Sequence, residues 1–170
     1  MAELGFFAPE ARVELIDGEI IDMPPIGPRH GGTVSCLHEL FVRAVSHRVL
    51  VWRQSGVQLG DFSELQPGLA LLPRRADFYA HKNPVNSDTL LVIEVSETTL
   101  RYDQRIKSAL YARYGIPEHW IFDTQAKHLL VSRNPTPTGY QQTFIADQLG
   151  AMPIVAPPGV TIDISSAMAL

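Results

Sequence analysis

The chain has 170 residues, of which 45% are hydrophobic and 19% are charged, which is typical of a single globular domain, residues 1–170, with a buried core. No apolar run approaches the ~20 residues that span a bilayer, the N-terminus lacks the pattern of a signal peptide, and the single cysteine excludes an internal disulfide. We therefore expect a cytoplasmic protein without a membrane segment, whose net charge of −4 argues mildly against a nucleic-acid-binding surface that covers the whole molecule.

The first predicted element is a β-hairpin in RVELIDGEIIDM, residues 12–23, because Asp17-Gly18 is a preferred pair for a tight turn. An amphipathic helix is predicted from about residue 30 to 48, where apolar residues recur at helical spacing. Residues 49–59 are predicted to form a strand, residues 60–68 a polar loop, and residues 69–72 a short apolar strand. A long connection, residues 74–88, then leads to the clearest strand of the chain, residues 90–95.

The second half begins with a helix predicted over residues 103–114, which Gly115 and Pro117 end. A short apolar strand at 119–122 follows, and then a hairpin of strands at 128–133 and 139–145. The tail, VAPPGVTIDI, predicts one more short strand. This order predicts a mixed β-sheet flanked by helices, with additional hairpins near both ends, in the α/β or α+β class.

Glu94 is the first candidate functional residue, because it is the one ionisable side chain in the apolar run LLVIEVS. A carboxylate in such a strand is unfavourable unless a metal, a cation or several hydrogen bonds compensate its charge. Strand alternation predicts Leu90, Val92 and Glu94 on one face of the sheet. The alternative is a strand-end carboxylate that points into solvent or pairs with an arginine.

Lys107 lies in the following helix, on one stripe with Leu110, Tyr111 and Tyr114. That position allows a sheltered lysine facing the strand of Glu94, or a surface lysine whose stem covers apolar side chains. Glu19, directly after the Asp17-Gly18 turn, is a weaker candidate that projects from a hairpin towards a cleft or into solvent.

Several catalytic motifs are absent from the sequence. The six histidines show no HExxH or other short metal-ligand spacing, and the chain has no phosphate-binding glycine loop and no GxSxG motif. From the residues alone, the candidate site is a carboxylate–lysine pair in a small mixed-sheet domain.

Four segments resemble the Uma2 family, a large bacterial family expected to contain endonucleases. They are VELIDGEIIDMPPIGPRHGG, SELQPGLALLPRRADFY, LLVIEVSETTLRYDQRIK and YARYGIPEHWIFD. The resemblance covers nearly the whole chain, and the four segments together are highly specific.

This resemblance implies the restriction-endonuclease-like fold of the PD-(D/E)xK class. In that class an Asp and a Glu on neighbouring strands bind a divalent metal, usually Mg²⁺ or Mn²⁺, and a lysine positions or activates the attacking water. Glu94 matches the acidic residue of the (D/E)xK element, and Ser96 stands where the lysine is usual. Lys107 matches a lysine that the family takes from the next helix.

The resemblance extends to three further residues. Glu19 matches the acidic residue of the DGE turn and, with Glu94 and Lys107, is expected to be catalytic. Gln54 and His30 match recurrent polar positions and are expected to line the site.

The resemblance also exposes a departure at Gly68. The family pattern is typically QPDLALL, whereas this chain has QPGLALL, so Gly68 occupies the position of the metal-binding aspartate. Loss of a charged ligand predicts metal affinity and hydrolysis reduced by orders of magnitude. Asp77 in RRADFY compensates only if its connection folds back over the site.

Three functions follow as hypotheses. The first is a divalent-metal-dependent endonuclease that hydrolyses DNA, impaired by Gly68. The second is an inactive nuclease-fold module that binds DNA or a protein partner. The third is a structural protein in which Glu94 and Lys107 form a buried ion pair. A homodimer is compatible with each of them, because symmetric dimers are the commonest oligomers.

Overall fold

The computed structural model describes residues 11–146 and 150–170. Within these ranges the strands are β1 (Val13–Ile16), β2 (Glu19–Asp22), β3 (Val49–Arg53), β4 (Val57–Gln58), β5 (Glu64–Leu65), β6 (Leu69–Pro73), β7 (Leu91–Ser96), β8 (Glu118–Asp123), β9 (His128–Thr136), β10 (Gly139–Ala146), β11 (Ala151–Pro153) and β12 (Thr161–Asp163). The helices are α1 (Pro28–Val45), α2, which runs from residue 100 to 113, and α3 (Ser165–Met168), with a 3₁₀ turn at Asn86–Asp88.

A six-stranded mixed sheet forms the centre of the fold, in the order β10-β9-β8-β7-β6-β3. The β7–β8 pair is parallel, whereas the other neighbours are antiparallel. A parallel pair requires a crossover connection, and α2 supplies it. The predicted mixed sheet with flanking helices is therefore confirmed.

The strand β7 separates two hydrophobic cores, because its side chains alternate between the faces of the sheet. Leu91, Ile93 and Val95 pack with α1 and the C-terminal segment in one core. Val92 belongs to the second core, with Leu110 and other residues of α2. Glu94 lies two residues after Val92, so its side chain is on the same face of the sheet, the face that α2 covers.

A second, antiparallel sheet has the order β2-β1-β5-β4. The hairpin predicted at Asp17-Gly18 is confirmed, since β1 pairs with β2 and both turn residues have positive φ, 49° and 87°. The polar loop predicted over residues 60–68 contains the short strand β5. Its Leu65 is fully buried, and the tertiary pairing of β5 with β1 has no local sequence signal.

The helix α2 differs from the prediction by starting at residue 100 and by containing a π-helical turn. Its parts are α-helical Leu100–Tyr102, π-helical Asp103–Lys107 and α-helical Ser108–Arg113. The backbone N–H of Ser108 donates to the carbonyl of Asp103. Single π turns are frequent at functional sites. The helix stops before Gly115, which has φ +74°, as its sequence predicts.

The other boundaries are close to the predictions except in the tail and in the strand predicted over residues 49–59, which the structure divides into β3 of the central sheet and β4 of the second sheet. The helix α1 spans 28–45 instead of 30–48, because Ser46 has a positive φ of 52°. The single strand predicted in the tail is the second strand of the β11–β12 hairpin, which α3 follows. Among the described residues, no helix combines the length and the apolarity needed to cross a bilayer.

Candidate active site

The side chain of Lys107 joins three segments that are distant in the chain. Its Nζ lies 2.9 Å from Oε1 of Glu14 on β1 and 3.2 Å from Oε1 of Glu94 on β7. Asp103, one turn earlier in α2, places Oδ1 at 4.0 Å from the same nitrogen. Three carboxylates therefore surround one ammonium group.

Each carboxylate is held by its own element. Glu14 and Ile16 are the two inward-facing residues of β1, and Oε1 of Glu14 accepts a hydrogen bond of 2.9 Å from the backbone N–H of Gln66. Glu94 accepts a 2.7 Å hydrogen bond at Oε1 from the hydroxyl of Tyr111, which is fully buried on α2. The orientations of both carboxylates are thus fixed by groups outside the ion pairs.

Asp103 belongs to the π turn of α2 and is 3% exposed. Its Oδ2 accepts a hydrogen bond of 2.7 Å from the hydroxyl of Thr99, in the connection between β7 and α2. The π turn therefore contributes both a carboxylate and the lysine to the same cluster.

The cluster perturbs the pKa values of its members. Burial raises the pKa of Glu94 to about 7, with Asp103 and Glu14 acting in the same direction and Lys107 opposing them. Burial also raises the pKa of Asp103. For Lys107, burial alone would lower the pKa, but the three carboxylates raise it above its ordinary value. Lys107 is consequently a permanent ammonium at neutral pH and not a general base.

A second buried group lies behind Tyr111. The ring of His119 is 4.9 Å from the ring of Tyr111, and its Nδ1 is 3.2 Å from the hydroxyl of Ser108. Burial and the charge of Lys107 lower the pKa of His119 to about 3. His119 is therefore neutral and supports the ring of Tyr111 without adding charge.

The cluster lies in a cavity of about 290 Å³. The cavity is bounded by the β1–β2 hairpin and residues 23–27 on one side and by the start of α2 on the other. Its lining is Arg12, Glu14, Ile21, Asp22, Met23, Pro24, Pro25, Gly27, His30, Gln54, Gln66, Gly68, Glu94, Val95, Glu97, Thr98, Thr99, Tyr102, Asp103 and Lys107.

The cavity is lined by five of the residues that the sequence analysis identified as candidates: Glu94, Lys107, Gly68, Gln54 and His30. The last β6–β7 pair is Leu69 with Ile93, so one further step places Gly68 opposite Glu94. A Cβ at Gly68 would lie 3.0 Å from the carbonyl oxygen of Ile93 and 3.6 Å from Cγ2 of Val95. A side chain at position 68 therefore requires a small backbone adjustment.

The structure does not bring Glu19 or Asp77 to the cavity. Glu19 is exposed at the start of β2, beyond the inward-facing part of the hairpin. The carboxylate of Asp77 accepts hydrogen bonds of 3.0 and 2.7 Å from Arg75 in an exposed loop. Asp77 is therefore not among the residues that line the cavity beside Gly68.

Sequence reasoning missed Glu14, Asp103 and Tyr111. Strand alternation places Glu14 on the inward face of β1 with Ile16, but the lysine that it contacts lies 93 positions away in the chain. Asp103 precedes Lys107 by four residues, a spacing that joins side chains on a helix. Tyr111 was identified on the stripe of Lys107, but its hydrogen bond to Glu94 depends on the packing of α2 against β7.

A solved structure with this fold is that of "a putative nuclease belonging to DUF820" from Anabaena variabilis. It matches with a TM-score of 0.73 and 15% sequence identity, over 98% of this chain and 95% of that chain. No curated protein matches the chain.

The chain belongs to the Uma2 family, which is described as "Putative restriction endonuclease" and matches residues 2–165. The resemblance found in the sequence is thereby confirmed.

Proposed function

We propose that the cavity is the active site of a divalent-metal-dependent endonuclease that hydrolyses DNA phosphodiester bonds, weakened by Gly68. The observation that carries this proposal is the convergence of Glu14, Glu94 and Lys107 on one cavity. Buried ion clusters contribute little to stability, since desolvation offsets most of the attraction. Ionisable groups with strongly perturbed pKa values in a cleft are more typical of a functional site.

The donor set fits a weakly held Mg²⁺ or Mn²⁺. Three carboxylates face a single ammonium, so the cluster carries an excess of buried negative charge that a cation would offset. Mg²⁺ is commonly held by one or two carboxylates, with water and phosphate oxygens at its other positions. Glu14 and Glu94 would hold the ion, although the described residues include no group of three Asp, Glu, His or Cys side chains arranged to do so.

The residues around the proposed ion have different roles. A bound ion would stabilise the charge that develops on the phosphate during hydrolysis. Lys107 fixes the two glutamates and adds a positive charge beside them, and Tyr111 orients Oε1 of Glu94. Gly68 provides no ligand, so we expect the affinity for the ion and the hydrolysis rate to be far below those of a site with an aspartate there.

The experiment that tests this function is nicking of supercoiled plasmid DNA in Mg²⁺ or Mn²⁺. The wild-type chain should nick slowly, and Glu94→Gln, which removes the charge and keeps the shape, should abolish the activity. Glu39→Gln is the matched control, because Glu39 is exposed on α1 and pairs with Arg43 outside the cavity. Equal, background-level nicking by the wild type and Glu94→Gln contradicts the proposal.

The competing function is an inactive nuclease-fold module that binds DNA or a protein partner. It is favoured by the contacts of Lys107, which already engage both glutamates, and by Gly68. Under this function, the purified chain binds DNA or its partner equally well with and without divalent metal. Gly68→Asp would then bring no gain in nicking.

A further inference from the structure

The groups proposed to act on the phosphate lie at the floor of the cavity. Glu14, Glu94 and Lys107 are 2%, 5% and 3% exposed. A phosphate can contact them only after it has entered the cavity. The volume of about 290 Å³ lies just below the ~300–1,000 Å³ that pockets for small ligands occupy.

One wall of the cavity is stiff. Residues 23–27 connect β2 to α1 without helical or strand structure, and Pro24 and Pro25 restrict their backbone. The guanidinium of Arg12 donates a hydrogen bond of 2.8 Å to the carbonyl of Pro24. This wall therefore has few ways to open for a bulky ligand.

The charged residues that line the cavity disfavour the binding of a polyanion with a high charge density. The cavity is lined by five carboxylates and two permanent cations, Arg12 and Lys107. Burial, and then the charge of Arg12, lowers the pKa of His30, so this residue adds no further positive charge at neutral pH. Duplex DNA carries one negative charge per ~1.7 Å of axis, whereas a single strand has a lower charge density.

The difference in stiffness between duplex and single-stranded DNA also favours entry of the single strand. Duplex DNA has a persistence length of about 50 nm, so a phosphate within it cannot bend away from its neighbours into a narrow cavity without deformation energy. An unpaired strand rotates freely about its backbone bonds and can insert one nucleotide.

The lining also offers groups that recognise one nucleotide. Tyr102, at the start of α2, lines the cavity and is partly exposed, and aromatic rings stack on unpaired bases of any sequence. Arg12 lines the same cavity from the N-terminal side of β1 and can contact a phosphate.

We propose that the site accepts an unpaired nucleotide, from single-stranded DNA, in preference to continuous duplex DNA. The base stacks on Tyr102, and the phosphate lies between Arg12 and the floor of the cavity. This inference rests on the proposed nuclease function and specifies its substrate class.

The test is a binding comparison by fluorescence anisotropy in Ca²⁺, with a single-stranded oligonucleotide and a duplex of the same sequence whose ends are closed by linkers that contain no nucleotides. The single strand should bind about tenfold more tightly, the equivalent of one stacked base. Tyr102→Leu should remove most of that preference, and Tyr102→Phe should retain it. Phe62→Leu is the matched control, because Phe62 is 68% exposed and does not line the cavity.

The outcomes separate this inference from the function on which it rests. Equal or tighter binding of the duplex, together with metal-dependent nicking, overturns the substrate class and leaves the nuclease function standing. Absence of binding to either DNA, with no nicking, overturns both. Equal loss of binding in Tyr102→Leu and Tyr102→Phe would exclude stacking as the source of the preference and so contradict the inference.

Discussion

Nζ of Lys107 and Oε1 of Glu14 lie 2.9 Å apart, although 93 positions separate the two residues in the chain. The contact exists only when α2 covers the central sheet and the N-terminal hairpin packs beside it. The charge cluster is thus a product of tertiary packing, and it forms only when α2 and the N-terminal hairpin are both in place.

Lys107→Met should destabilise the fold, because it leaves three buried carboxylates without their counter-charge. We expect a loss of about 3–5 kcal/mol in the free energy of unfolding, measured by urea denaturation near neutral pH. Arg43→Met, an exposed site on α1, should change stability by less than about 0.5 kcal/mol. A similar small effect for Lys107→Met would show that the cluster is open to water.

The stability of the metal-free protein should depend on pH through Glu94. Its pKa of about 7 in the folded state lies above the ordinary value of 4.5, so the folded protein retains a proton that the unfolded chain releases. This contribution is fully present below about pH 4.5 and is lost as pH rises through about 7. Relative to Glu94→Gln, the wild type should lose on the order of 3 kcal/mol across that window.

The measurement is denaturant unfolding of both proteins, in a chelator, at several pH values. A stability difference that does not change with pH would contradict the assignment, and so would a wild type that gains stability relative to Glu94→Gln as pH rises.

Tyr111→Phe should weaken Mn²⁺ binding more than it weakens the fold. The substitution removes only the hydroxyl that donates to Oε1 of Glu94 and retains the buried ring beside His119. We expect about a tenfold loss of Mn²⁺ affinity in calorimetry, since removing a group that orients a metal ligand typically lowers metal affinity about 10–100-fold. Tyr140→Phe removes a hydroxyl that bonds the carbonyl of Ile116 and is the control. Equal Mn²⁺ affinities for Tyr111→Phe and Tyr140→Phe would contradict the proposal that Tyr111 orients Glu94.

Glu118→Gln should have the opposite pattern, a stability loss without a change in metal affinity. The fully buried carboxylate of Glu118 accepts hydrogen bonds from Trp120, Arg133 and the backbone of Val155, and so fixes the C-terminal segment to the sheet. We expect a loss of about 2–4 kcal/mol by thermal or urea unfolding. A weakened Mn²⁺ affinity at a temperature where the variant is folded would instead indicate coupling between this segment and the cavity.

Local sequence signals were sufficient for the main elements. The Asp17-Gly18 turn, the helical spacing in α1 and the apolar run of β7 each specify their structure within a few neighbouring residues. Glu94 was recognisable for the same reason, since its charge stands out against its immediate neighbours.

The missed features depend on partners that are distant in the chain. The strand β5 has two residues and forms only through pairing with β1 and β4. Glu14 acquires its partners from Lys107 and from the backbone of Gln66, and neither is local. The sequence therefore predicted the glutamate of β7 and the lysine of α2 as candidates, but not the second glutamate that joins them.

The most direct test of the proposed site is calorimetric titration with Mn²⁺ at about pH 8, where Glu94 is ionised. The comparison is between the wild type, Gly68→Asp and Gly68→Asn, which matches the aspartate in shape without its charge, with Gly68→Ala to measure the strain of a Cβ near the carbonyl of Ile93. We predict weak binding by the wild type, at least about tenfold tighter binding by Gly68→Asp, and no such gain for Gly68→Asn. Folded Gly68→Asp that binds Mn²⁺ no more tightly than the wild type would contradict a metal site built on Glu14 and Glu94.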